Sequence, residues 1–208
     1  MVKQAIIYLH GFNSASVDLS GNLLKTKQKL LVLDRFCQEN QIKFCTPNVD
    51  YRDFKQLIAG LTELYVSLQA EGAVVLFMGS SMGGFTSEYM AMKTHSKAIM
   101  INPAISPSEL LLQFVGVTAN YEIDQPYHWT EQHCQQYKSY ENELKKDSGD
   151  SIDRTILVDM ADELIDSSLT IDKYKSIANV VSFAGGSHSF EHIEQALSTI
   201  KKVIYGGE

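Results

Sequence analysis

The chain has 208 residues, a formal net charge of −7 and 44% hydrophobic residues. This length fits one compact domain, and the balance of apolar and charged residues is typical of a globular chain rather than a disordered one. The negative charge argues against nucleic acid as a partner, because Lys and Arg supply most of that affinity. We expect no membrane partner, since no stretch reaches the roughly 20 apolar residues that span a bilayer.

The three cysteines favour reduced thiols over a disulfide framework. Cys37, Cys45 and Cys134 are an odd number without a paired spacing. The first apolar run, residues 5–9, is too short for the apolar core of a signal peptide and is not followed by small residues. We therefore expect a cytoplasmic protein.

Short β-branched runs alternate with longer helical patterns along the chain. The pattern predicts strands at 4–9, 42–46, 73–78, 97–101, 155–159 and 179–183, and helices at 22–39, 53–70, 82–94, 163–176 and 189–204. Near-continuous apolar strands separated by amphipathic helices are typical of a parallel sheet covered on both faces. The sequence therefore predicts a three-layer α/β fold with about six mainly parallel strands.

One interval interrupts this alternation. Residues 108–152 are polar and rich in aromatic side chains, and they contain no run that would extend the sheet. Long insertions in compact domains are usually functional. We interpret the interval as a helical cap inserted into the single domain 1–208, and we expect Tyr121, Tyr127 and Trp129 to contribute to a substrate pocket.

A candidate nucleophile lies directly after the third predicted strand. Gly79, Ser81 and Gly83 form the motif G-x-S-x-G between a strand and a helix. A serine on a sharp turn can present its hydroxyl above the sheet, and the flanking glycines avoid clashes with the neighbouring strand and helix. This position is also where open parallel sheets place their ligands. The motif predicts that Ser81 is a catalytic nucleophile.

A serine hydroxyl needs a neighbouring base, and His188 is the best candidate among six histidines. It follows Gly185 and Gly186 in the loop after the last predicted strand, where this fold places its histidine. His192 is the alternative, but it falls near the start of the final helix. His188 and His192 also form the pattern H-x-x-x-H. The glutamate that follows the first histidine in a zinc protease motif is missing, so we expect no metal.

The acid that orients the histidine should follow the penultimate strand. Four carboxylates cluster there: Asp159, Asp162, Glu163 and Asp166. We favour Asp162, because it lies in the loop just past the strand. Asp159 lies at the strand end, and Asp166 fits better as an acidic residue in the first turn of a helix.

An oxyanion hole requires two preorganised N–H donors. In this fold one comes from the residue after the nucleophile and the other from the loop after the first strand. The sequence therefore predicts the amides of Met82 and Phe12. His10, in the same loop, is expected to brace the backbone by hydrogen bonding rather than to catalyse.

The motifs together resemble those of the YqiA-like esterases, a compact family of the α/β-hydrolase fold, and the matching segments span nearly the whole chain. These segments are YLHGFNSAS at 8–16, GSSMGG at 79–84, INPA at 101–104, ADELID at 161–166 and GGSHSFEH at 185–192. The resemblance implies a hydrolase of carboxylic esters or acyl thioesters. It assigns the roles of nucleophile, acid and base to Ser81, Asp162 and His188.

Ester hydrolysis through an acyl-enzyme, with no cofactor and a small acyl substrate, is the leading hypothesis. Acyl-CoA thioester hydrolysis is the alternative, since the same machinery cleaves both, and Lys138, Lys145 or Lys146 could meet a coenzyme A phosphate. A non-catalytic small-molecule-binding protein of the same fold is an alternative of a different class. The sequence does not indicate the acyl length or the oligomeric state.

Overall fold

A parallel six-stranded sheet forms the centre of the structure, a computed structural model that describes residues 2–120, 122–147 and 152–206. Its strands are β1 Lys3–Leu9, β2 Ile42–Cys45, β3 Ala73–Ser80, β4 Lys97–Ile101, β7 Arg154–Asp159 and β8 Asn179–Phe183, and the intervening β5 Ala119–Asn120 and β6 Gln125–Pro126 form a separate antiparallel pair. The strand order is β2-β1-β3-β4-β7-β8, and all neighbouring strands pair in parallel. All six predicted strands are confirmed.

Both faces of the sheet are buried, which explains the near-continuous apolar strands. In β1, Ile6 and Tyr8 belong to one hydrophobic core, whereas Ile7 and Leu9 belong to the other. Because side chains alternate along a strand, a sheet buried on both sides needs apolar residues at every position.

Helices cover the two faces unequally. The main helices are α1 Gln28–Glu39, α2 Phe54–Ala70, α3 Met82–Thr94, α7 Ser167–Tyr174 and α8 Ile193–Tyr205. Helices α1 and α8 contribute to one core, whereas α2, α3 and α7 contribute to the other. Among the described residues, no helix is both long enough and apolar enough to cross a membrane.

The segment between β4 and β7 contains short helices and the small β5-β6 hairpin rather than helices alone. Its elements are α4 Pro107–Leu110, a 3₁₀ turn at Leu111–Phe114, α5 Glu131–Gln135 and α6 Tyr137–Lys146. Trp129 and Tyr137 are fully buried against the α2-α3 core. Aromatic residues of this polar segment therefore anchor it to the domain.

Three helices begin at least four residues later than the sequence pattern predicts. The first was expected at residue 22 but begins at Gln28, because the preceding chain folds back through a bridge between Val17 and Leu23. The helices expected from 163 and 189 begin at Ser167 and Ile193. The residues before these two helices form the loops that carry the candidate acid and base.

Candidate active site

The turn between β3 and α3 holds Ser81 in a strained backbone conformation. Its φ and ψ angles are 55° and −118°. Residues other than glycine rarely adopt backbone angles in this region, and such backbone strain is found mainly at functional sites. The turn is fixed on both sides, since the Ser81 N–H donates to the Ile101 carbonyl at 3.0 Å and its own carbonyl accepts from Ala104 at 3.1 Å.

The two glycines of the motif are required by close backbone contacts. A Cβ atom on Gly83 would lie 1.9 Å from the carbonyl oxygen of Leu9, at the end of β1. A Cβ atom on Gly79 would lie 2.3 Å from the carbonyl oxygen of Gly83. Helix α3 can therefore start this close to β1 and β3 only when both positions lack a side chain.

Ser81 and His188 line the same cavity, whose volume is about 950 Å³. The strand-end loop at Gly11 and Phe12 forms another part of its wall. The Ser81 hydroxyl and the His188 ring make no direct hydrogen bond in the described structure. Such contacts are often longer without substrate and tighten in the complex.

The His188 ring is paired with Asp162, as the sequence analysis favoured. The His188 Nδ1 atom lies 2.8 Å from Asp162 Oδ2 and 3.0 Å from Oδ1. The carboxylate side chain is 1% exposed and also accepts the backbone N–H groups of Leu164 and Ile165. With Nδ1 held by the carboxylate, Nε2 remains as the nitrogen that can accept a proton.

The hydrogen bonds keep Asp162 ionised. Burial raises the pKa of its carboxyl, but the hydrogen bond from His188 and the backbone donors Ile165 and Leu164 outweigh burial and hold the pKa below its usual value. A charged carboxylate at this place stabilises a protonated imidazole.

A second aspartate-histidine pair lies beside the first. His192 Nδ1 is 2.7 Å from Asp159 Oδ1, and the fully buried Asp159 also accepts the backbone N–H groups of Ser187 and Glu191. A Cβ atom on Gly186 would lie 1.9 Å from Asp159 Oδ2, so only glycine lets the loop approach this carboxylate. His192 is not among the described residues that line the cavity. This pair therefore secures the loop that carries His188.

The two remaining candidate acids occupy other positions. Glu163 is exposed and accepts the backbone N–H of His188 at 2.9 Å. Asp166 caps α7, where its side chain accepts the N–H groups of Ser168 and Leu169. Neither contacts the His188 ring.

The loop after β1 lies directly against Ser81, the candidate nucleophile. A Cβ atom on Gly11 would be 3.3 Å from the Ser81 Cβ atom. In the described part of the chain, the N–H groups of Phe12 and Met82 donate to no protein acceptor. Both predicted oxyanion donors therefore remain unpaired near Ser81, and Met82 is the first residue of α3, where the helix dipole favours negative charge.

His10 braces this loop, as expected. Its Nε2 atom accepts the Val49 N–H at 2.9 Å, so Nδ1 carries the proton and donates to the Gly11 carbonyl at 2.8 Å. Tyr51 donates a hydrogen bond to the His10 carbonyl. Burial is the main reason why the pKa of His10 is lowered to about 4, so this ring is neutral at ordinary pH.

Two residues that hold the site were not predicted from the sequence. Asn102, at the end of β4, donates to the carbonyls of Ser187 and His188 and accepts the Asp159 N–H at 2.9 Å. Lys29, in the first turn of α1, lines the cavity and donates to the Ser80 hydroxyl at 2.6 Å. Asn102 belongs to the INPA segment, which offered a signal, whereas Lys29 lies in a helix with no recognisable motif.

Two of the three predicted pocket aromatics, Tyr127 and Trp129, do not line the cavity as expected. Tyr121 lies outside the described residues. Tyr127 and Trp129 are buried and stand behind Phe12, with ring centroids 5.8 Å and 4.7 Å from it. Neither is among the described residues that line the cavity, because Phe12 and Phe114 occupy the space in front of them.

The lysines considered for coenzyme A lie elsewhere. Lys138 pairs with Glu109 and Glu141, at 3.5 and 3.9 Å. Lys145 and Lys146 are exposed near the end of α6. None of these three is among the described residues that line the cavity.

A parallel sheet in this strand order, with a strained serine turn after β3 and an aspartate-histidine pair after β7 and β8, defines the α/β-hydrolase fold. The model of the uncharacterised protein family UPF0227 matches residues 5–205, so the chain belongs to that family. This confirms the resemblance to YqiA-like proteins.

Comparisons with individual proteins agree with this assignment. The chain is 26% identical to UPF0227 protein VP0969 of Vibrio parahaemolyticus over 95% of this chain and 97% of that protein. It is similar in structure to Est1E from Butyrivibrio proteoclasticus, with a TM-score of 0.71 and 12% identity over 99% of this chain and 88% of that one. FphF, a fluorophosphonate-binding serine hydrolase of Staphylococcus aureus, gives a TM-score of 0.62 and 16% identity over 98% and 85% of the two chains. These structural likenesses show the fold.

The close contact at Gly83 generates a stability prediction. Gly83→Ala should lower the free energy of unfolding by more than about 3 kcal/mol, because the added methyl group overlaps backbone atoms that cannot move aside. Urea denaturation followed by circular dichroism measures the effect.

Gly60→Ala is the matched control. A Cβ atom on Gly60, within α2, meets nothing within 4 Å. Alanine should stabilise that exposed helix position by up to about 1 kcal/mol. Equal urea midpoints of unfolding for Gly83→Ala and wild type would contradict the close contact at Gly83.

Proposed function

We propose that the protein is a serine hydrolase that cleaves carboxylic esters through an acyl-enzyme. Ser81 is the nucleophile, His188 is the general base and Asp162 orients the histidine. The observation that carries the proposal is the Asp162–His188 pair, at 2.8 Å, opening on the same cavity as a serine held on a strained turn.

Acylation begins when His188 Nε2 takes the proton of the Ser81 hydroxyl as the oxygen attacks the ester carbonyl. The carbonyl oxygen becomes an oxyanion, which accepts hydrogen bonds from the backbone N–H groups of Phe12 and Met82. Asp162 stabilises the imidazolium that forms. The tetrahedral intermediate then collapses, His188 gives its proton to the leaving alcohol, and the acyl group remains on Ser81.

Deacylation repeats these steps with water. His188 removes a proton from water as the water oxygen attacks the acyl-enzyme carbonyl, and then returns the proton to the Ser81 oxygen as the carboxylic acid departs. The same N–H groups hold the second oxyanion.

In this proposal the chain is a single domain, and the segment 108–152 is its cap. The cap forms one wall of the acyl pocket. The wall residues that support this role are apolar: Leu110, Leu111, Phe114 and Val117. Together with Phe12 from the β1 loop, they offer an apolar surface to an acyl chain. Tyr127 and Trp129 act indirectly, because they support Phe12 from behind.

The lysines of the cap give acyl-CoA thioesters no support, because none of those described lines the cavity, and esters remain the leading candidate. A non-catalytic binding protein is the remaining alternative, and it would require neither the strain at Ser81 nor unpaired N–H groups beside it. Reaction with a mechanism-based phosphonate separates catalysis from binding.

Ser81 should be the residue labelled by a fluorophosphonate, because a base-activated serine beside two N–H donors reacts readily with it. Mass spectrometry of the digested protein locates the label. Ser81→Ala should abolish labelling. Absence of label on folded wild type, or a label on the neighbouring Ser80, would contradict the assignment.

Asp162→Asn should lower kcat by about 10⁴-fold while the fold stays intact, because the amide favours the wrong histidine tautomer. The readout is kcat on a short-chain ester at equal folded concentration, with folding checked by circular dichroism.

Two substitutions serve as controls. Asp166→Asn keeps a good helix cap and should change both stability and kcat little. Asp159→Asn removes a buried carboxylate that accepts three hydrogen bonds, so its main effect should be destabilisation by about 2–4 kcal/mol. A dead but folded Asp159→Asn beside an active Asp162→Asn would make Asp159–His192 the working pair.

A further inference from the structure

Lys29 lies between the two loops that carry the candidate nucleophile and base. Its ammonium group donates to the Ser80 hydroxyl at 2.6 Å and to the Ser189 carbonyl at 2.9 Å. Ser80 immediately precedes Ser81, and Ser189 immediately follows His188. Lys29 also lines the cavity. A group bound to this ammonium would therefore lie close to the reacting serine.

The positive charge of Lys29 has no anionic partner in the part of the chain described. No carboxylate oxygen there lies within 4.0 Å of its Nζ atom. Glu191 lines the same cavity but is exposed and forms no ion pair with it. Asp159 and Asp162 are held by His192 and His188. The two oxygens that contact Nζ are neutral, and an ammonium has three N–H donors.

Burying a cation partly without a counter-ion costs free energy, and a second positive charge nearby increases that cost. Lys27 lines the same cavity, although its charge is compensated by Glu122. Burial, followed by repulsion from Lys27, lowers the pKa of Lys29 to about 7, against the attraction of Asp159 and Asp162. A bound anion would reverse this shift by favouring the protonated lysine.

We propose that Lys29 binds a carboxylate of the substrate, so that the preferred esters carry a negative charge a few bonds from the scissile carbonyl. This inference rests on the proposed ester hydrolysis. A single ammonium is a compact point charge, so it can pair with one carboxylate without the bidentate geometry that arginine provides. Selection for anionic esters is also unexpected from a chain of net charge −7, which makes the prediction specific.

A purely structural role for Lys29 is the competing explanation, because its two hydrogen bonds link the serine and histidine loops. Lys29→Gln retains donors for such a link but removes the charge, whereas Lys29→Arg retains the charge. Lys25→Gln is the matched control, since Lys25 is exposed, lies four residues earlier and is not among the described residues of the cavity wall.

The experiment compares two esters of nearly equal shape, 4-nitrophenyl hydrogen glutarate and its methyl ester. Wild type should give a kcat/KM about 10 to 100 times higher for the anionic ester, the factor expected of a hydrogen bond to a charged group. Lys29→Gln should bring the ratio close to one, Lys29→Arg should keep it above one, and Lys25→Gln should match wild type.

The outcomes separate the inference from the proposed function. Equal kcat/KM for both esters in wild type would overturn the inference and leave ester hydrolysis standing. Parallel losses on both esters in Lys29→Gln, with the wild-type ratio unchanged, would show that Lys29 only links the loops. Hydrolysis of neither ester, together with no fluorophosphonate label on Ser81, would overturn both.

Discussion

The site depends on how closely the start of α3 approaches the end of β1. The backbone of Gly83 lies where any side chain would overlap the Leu9 carbonyl, and Ser81, two residues earlier, has a left-handed backbone conformation. The packed sheet holds that strain, because β3 pairs with β1 on one side and β4 on the other. The same approach brings the β1 loop, with Gly11 and Phe12, against the serine. A relaxed turn would separate the hydroxyl from both unpaired N–H groups.

The second half of the site is built from two neighbouring aspartate-histidine pairs with different surroundings. Asp159 is fully buried, and its carboxylate oxygens accept hydrogen bonds from backbone N–H groups and from His192. It therefore fixes the position of the histidine loop. Asp162 contacts the ring of His188, which faces the cavity. Asn102 links both parts, since it bonds to the His188 loop and to the Asp159 backbone. We interpret the first pair as structural support and the second as the proposed catalytic pair.

Much of this arrangement could be predicted from the sequence, because its physical signals are local. The strands were recognisable as apolar runs buried on both faces, and the glycines around Ser81 reported the tight turn. The roles of the four carboxylates after β7 were harder to assign, since Asp159 and Asp162 differ by three positions but bond to different histidines. Lys29 and the wall residues Phe114 and Leu111 carried no local signal. Their positions arise from tertiary packing, in which α1 and the cap line the same cavity. Tyr127 and Trp129 were therefore expected one layer closer to the cavity than they lie.

A crystal structure of the protein after reaction with a fluorophosphonate tests the proposed site most directly. We predict phosphorus bonded to the Ser81 Oγ atom and a phosphoryl oxygen about 2.7–3.1 Å from the backbone nitrogens of Phe12 and Met82. The Asp162–His188 contact should be retained. A phosphoryl oxygen directed away from both nitrogens, or phosphorus bonded to a residue other than Ser81, would contradict the proposed site.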